Sequence, residues 1–120
     1  MNEDFVSYDL AVKLKEKGFD WKVCGMYTQC VKLIQFDLLF KPKNWNELTG
    51  HYAAPTISQV LKWLREEKNT YVLVDFVDKS WLFDLRCLRT GFIAENDVCR
   101  YETYEQAAIA GIEYVLDNLL

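Results

Sequence analysis

The chain has 120 residues and a formal net charge of −4; 51% of its residues are hydrophobic and 27% charged. That composition excludes intrinsic disorder, and the length suits a single globular domain, 1–120, with no need of disulfides or metal. The negative balance argues against direct nucleic-acid binding, which needs clustered Lys and Arg, and no apolar run reaches the roughly 18 residues of a membrane span.

Helical spacing of Val6, Leu10, Ala11 and Leu14 predicts a first helix over about 5–17, capped by Asp4 or Ser7. Gly18 supplies a left-handed stop, and Phe19 can fold back onto Leu14. Strands are expected within Trp21–Tyr27 and Val31–Phe40, both rich in β-branched and aromatic residues. Residues 41–55 hold many turn formers and sustain no period.

The second helix, about 56–68, opens on a Thr56–Gln59 capping box. Its apolar face is Ile57, Val60, Leu61 and Leu64, with Trp63 beside that face, and Asn69 can end it. A hairpin follows, with strands at about 71–77 and 81–88. Pairing Val72 with Leu85, Val74 with Phe83 and Phe76 with Trp81 joins two apolar sets, whereas a one-residue slip opposes unlike faces. Its loop, Val77-Asp78-Lys79-Ser80, has no Gly, which favours four residues around a type I turn. Residues 89–101 read as loop with one short edge strand.

The third helix, about 103–119, repeats the T-x-x-Q start with Thr103 and Gln106. Ala108, Ile112, Val115 and Leu119 trace its inner face, and Gly111 suggests a close approach to a sheet. The order is α-β-β-α-β-β-α, an α+β fold in which a small antiparallel sheet with a central hairpin is packed by amphipathic helices.

Chemistry is sparse. None of the common phosphate-loop, dinucleotide, nucleophile-elbow or zinc-protease motifs is present. The four cysteines, Cys24, Cys30, Cys87 and Cys99, form no C-x-x-C pair, and there is a single histidine, so no metal site and no cofactor are expected. His51 could act as a base only if folding brought it to a carboxylate such as Glu47 or Asp37, or to a cysteine. The acidic start, Met1 to Asp4, lacks the layout of a signal peptide, so a cytoplasmic location is expected.

Aromatics make up 15% of the chain. Trp45 and Tyr52 in the irregular 41–55 segment, with His51 between them, and Trp63 on the second helix are the candidate partner-binding residues, since exposed Trp and Tyr commonly anchor protein partners; the other reading has Trp63 and Trp45 closing over each other or over a neighbouring element as a satellite core, because large aromatics on small domains are usually mostly buried. Charge is uneven: residues 1–43 hold seven Lys/Arg and six Asp/Glu, residues 81–120 three and seven.

The stretches Ala54-Pro55-Thr56-Ile57-Ser58-Gln59-Val60-Leu61-Lys62-Trp63-Leu64-Arg65-Glu66 and Tyr101-Glu102-Thr103-Tyr104-Glu105-Gln106-Ala107-Ala108-Ile109-Ala110-Gly111-Ile112 resemble a family of small uncharacterised proteins of gut-bacterial and prophage genomes. Those proteins share an "APT…Q…WLRE" helix, a hairpin and a "YEEA…AGIE" closing helix. The layout is also similar, more weakly, to phage sandwich domains with a sheet between helices. The resemblance implies a phage or mobile-element accessory role and supplies no catalytic residue. The reading that follows is a non-catalytic accessory or interaction module with a protein partner. Two alternatives stay open: an acidic modulator of a nucleic-acid-binding partner, and a small enzyme using His51 or a cysteine.

Overall fold

The structure, a computed structural model, describes residues 5–28, 33–35, 42–89, 93–96 and 100–120. Most of the second predicted strand, with Asp37, Cys30 and Cys99, lies outside the described residues, as does the alternative cap Asp4. The chain divides into two compact units, Met1–Thr56 and Ile57–Leu120.

The first unit begins with α1, Tyr8–Glu16. Ser7 caps it, its hydroxyl accepting from the Leu10 N–H at 3.3 Å. Gly18 ends it at φ +87°, and Phe19 N–H donates back to the Leu14 carbonyl at 3.0 Å, completing the expected Schellman closure. Leu10, Ala11, Leu14 and Phe19 are buried. Three short strands form an antiparallel sheet in the order β2-β1-β3: β1 Gly25–Thr28, β2 Leu33–Gln35 and β3 His51–Ala53. The third strand falls inside the segment where sequence shows no period, because three residues are too few to display an alternation.

The second unit opens with α2, Ile57–Glu67, which ends against Asn69 at φ 52°. The hairpin strands are β4, Thr70–Val77, and β5, Ser80–Cys87, in the register derived from the apolar sets. Their turn differs from expectation. It has two residues, Asp78 and Lys79, both at positive φ (51° and 64°), as a type I′ turn requires. The right-handed twist of the strands favours that turn even without glycine, and Asp tolerates it better than most residues. Lys79→Gly should therefore raise stability by about 0.5–1 kcal/mol, measured as a shift in denaturation midpoint.

The edge strand expected in 89–101 is β6, Ile93–Asn96, beside β5. Among the described residues two three-stranded antiparallel sheets thus stand in place of one, and the α+β class holds.

The last helix is α3, Tyr104–Tyr114, continued by a π-helical turn over Val115–Leu119. Thr103 caps it, its Oγ1 accepting from Gln106 N–H at 3.1 Å. Gln106 Oε1 reaches past the cap to accept from Glu102 N–H at 3.0 Å. A Cβ on Gly111 would lie 2.7 Å from Val72 Cγ1 and 3.1 Å from Phe83 Cδ1, so this glycine sets how closely the helix meets the hairpin. The wider π turn shifts the inward face after Val115. Leu116 becomes fully buried and Leu119, expected inside, is exposed.

Candidate protein-interaction surface

Trp45, one of the predicted contact residues, is a core residue. Its Nε1–H donates to the Val23 carbonyl at 2.9 Å, and the ring is only 9% exposed. The reason lies in its surroundings, which staple the 41–55 segment down. Val23 and Lys43 exchange backbone hydrogen bonds. Asn46 bridges two elements, donating from Nδ2 to the Phe19 carbonyl and accepting at Oδ1 from Ala53 N–H, both at 2.8 Å. Lys15 Nζ donates to the carbonyls of Leu48 and His51, at 3.1 and 2.8 Å. Asn46 had no sequence signal, because a side chain bridging backbone groups leaves no periodic pattern.

His51 is half-buried, stacked on Trp45 with 6.4 Å between ring centroids. Its Nδ1 lies 3.2 Å from the Thr49 carbonyl, and among the described residues neither a carboxylate nor a thiol hydrogen-bonds to the ring. Tyr52, also half-buried, meets Tyr8 edge-on at 5.4 Å and lies under the Lys15 ammonium at 4.9 Å. Tyr8 in turn meets Tyr27 edge-on at 5.7 Å, and the Tyr27 hydroxyl donates to the Val6 carbonyl at 2.8 Å. Desolvation, then the neighbouring Tyr52 phenol, raises the Tyr8 pKa above its ordinary value; burial alone raises that of Tyr27. A phenol that resists ionisation and a histidine held by a carbonyl suit packing.

Trp63 is 1% exposed and belongs to the core, where the sequence had suggested a partner contact. The buried arc of α2 is wider than the four-residue stripe. At 100° per residue, Ile57, Val60, Leu61, Trp63 and Leu64 span about 160°. Lys68 lies over the indole, its Nζ 5.4 Å from the ring.

The exposed aromatic surface lies elsewhere in the second unit. Burial fades along the hairpin, from Val72 at 3% exposure to Phe76 at 57%. There Phe76 packs on Trp81 at 4.9 Å, and Trp81 meets Tyr104, the first residue of α3, edge-on at 5.7 Å. Val77 and Tyr104 are exposed and Trp81 is half-buried. Backbone bonds fix this cluster. Trp81 and Tyr101 exchange N–H···O contacts of 2.9 and 2.8 Å, and Arg100 Nη1 donates to the Val77 carbonyl at 2.9 Å. Half-buried Trp81 with exposed Phe76 and Tyr104 packed against it forms an apolar patch, the kind of surface a partner's side chains can cover with little ordering cost.

Beside the patch is an open depression of about 570 Å³, bounded by Arg100, Tyr101 and Glu102 on one side and by the outer face of α3 on the other. Among the described residues no cluster of His, Cys, Asp and Glu could hold a metal ion, and no helix is long and apolar enough to cross a membrane. Cys24 and Cys87 are half-buried. No known family model matches the chain, and no curated protein or solved structure is significantly similar to it.

Proposed function

We propose that this chain is a non-catalytic protein-interaction module, and that it engages its partner through the hairpin tip. The observation that carries the reading is the interlocked, solvent-facing cluster of Phe76, Trp81 and Tyr104. Large aromatics dominate binding energy where they become desolvated, and rigid ones lose little entropy on binding. The family resemblance supports an accessory role of the phage or mobile-element kind.

The test compares proteins captured from native cells by the tagged wild type, by Phe76→Ser and by Leu88→Ser. Leu88 is another exposed apolar residue, 49% accessible, outside the cluster. Leu88→Ser should move stability by no more than about 0.5 kcal/mol, and Phe76→Ser by about 1 kcal/mol through its lost packing on Trp81, so both proteins stay folded. Phe76→Ser is expected to weaken the specific partner by about 2 kcal/mol, roughly thirtyfold, with Leu88→Ser unchanged. Equal retention by all three proteins would refute the assignment of the tip.

A further inference from the structure

We infer that the chain forms a two-fold dimer with a second copy of itself, in which the β4 edge strands pair antiparallel and join the two hairpin sheets into one. β4 lies at the edge of its sheet, which runs β4-β5-β6. It has eight residues, Thr70–Val77, and pairs with β5 throughout without a shift in register. Among the described residues the other edge strands are shorter. β2 and β3 have three residues each, and β6 has four with an irregularity in its pairing at Leu85/Arg86. Edge strands are ordinarily protected by shortness, bulges, Pro or Lys. Thr-Tyr-Val-Leu-Val-Asp-Phe-Val has none of these, and its one charge is Asp75.

Hydrogen-bond alternation names the residues that face the open side. In an antiparallel ladder, opposed residues alternate between pairs that exchange both N–H···O bonds and pairs that exchange none. Val77 and Ser80 flank the two-residue turn and form a bonded pair. Phe76 opposite Trp81 is then a non-bonded pair, in keeping with the Trp81 backbone bonds to Tyr101 on its other side. Thr70, Val72, Val74 and Phe76 therefore turn their N–H and C=O groups outward, and among the described residues no backbone bond meets them.

Two antiparallel copies must match these outward residues with one another. One register uses all of them, with Thr70 opposite Phe76, Val72 opposite Val74 and the two-fold axis at Leu73. The side chains agree with it. Val72 reaches toward Gly111 of α3, so Tyr71, Leu73 and Asp75 lie on the other face of the strand. On that face Leu73 meets Leu73 of the second copy, and Asp75 meets Tyr71 of the second copy. Arg65 holds its guanidinium over the Tyr71 ring, 5.8 Å from the centroid. Among the described residues neither Arg65 nor Asp75 has an ion pair. The pairing thus brings each Asp75 carboxylate toward the Arg65 of the other copy, whereas a register centred on Asp75 opposes two carboxylates. The aromatic tips stay at opposite ends of the shared sheet, so their role in capturing a partner is decided separately.

The test is sedimentation equilibrium of the full chain over a dilution series, with circular dichroism to confirm that each variant is folded. Wild type is expected at twice the monomer mass at about 0.1 mM and to dissociate on dilution. Leu73→Lys and Leu73→Asp each set like charges face to face on the axis and should weaken the dimer about tenfold or more, and an equimolar mixture of the two should dimerise again. Asp75→Lys should weaken it about tenfold, and because Asp75 is exposed this variant tests the register even if a Leu73 variant does not fold. Tyr104→Ser, outside the edge, should leave it unchanged. A wild type that is monomeric at about 0.1 mM overturns the pairing. So does a dimer indifferent to Asp75→Lys or to both Leu73 substitutions, a mixture of folded Leu73 variants that stays monomeric, or a dimer lost in Tyr104→Ser.

Discussion

Trp63→Ala should lower the unfolding free energy by about 3–5 kcal/mol, the range for removing a buried indole and leaving a cavity. The side chain is 1% exposed and sits among the buried residues of an amphipathic helix whose remaining apolar groups are too rigidly placed to fill the void. Denaturant unfolding followed by circular dichroism measures the loss. Trp63→Phe should recover a good part of it, because a ring is retained at the site. A Trp63→Ala protein as stable as wild type would mean that the indole is free to leave the core, and would restore Trp63 as a candidate contact.

Gly25→Ala should cost about 3 kcal/mol, at the upper end of the usual overpacking range. The new Cβ would lie 2.7 Å from the Ala54 carbonyl oxygen and 2.9 Å from Phe5 Cε1. Phe5 could rotate away, but the carbonyl belongs to a backbone that Ala54 N–H ties to the Gly25 oxygen at 2.9 Å. Relief therefore requires β1 to shift against the segment following β3. Gly111→Ala meets side chains instead of backbone and gains helix propensity, so its loss should be smaller. The order of the two denaturation midpoints, Gly25→Ala below Gly111→Ala, is the outcome to check.

The Ser7 and Thr103 caps and the hairpin register were legible because both are local. A Ser, Thr or Gly at a helix end acts on backbone groups within a few residues, and two alternating apolar sets admit one register. The type I′ turn was missed because glycine is its strongest signature and this turn has none. For Trp45 and Trp63 the sequence offered both a partner contact and burial in a satellite core, and burial holds; the choice depended on what lies above them, and periodicity says only which side of an element a residue is on. The aromatic tip was not legible, because the exposure of Phe76 depends on which neighbours cover the end of the hairpin, and alternation along a strand does not give that.

That fading burial along β4 and β5 divides the hairpin into two zones under different selection. At the base, Val72, Phe83 and Leu85 are closed in, and any change there is felt as lost stability. At the tip, Phe76 and Val77 can be exchanged with little effect on the fold. On the proposed role of the tip, substitutions there retune partner choice while the base of the same strands keeps the chain folded, so related chains are expected to diverge in recognition sooner than in architecture.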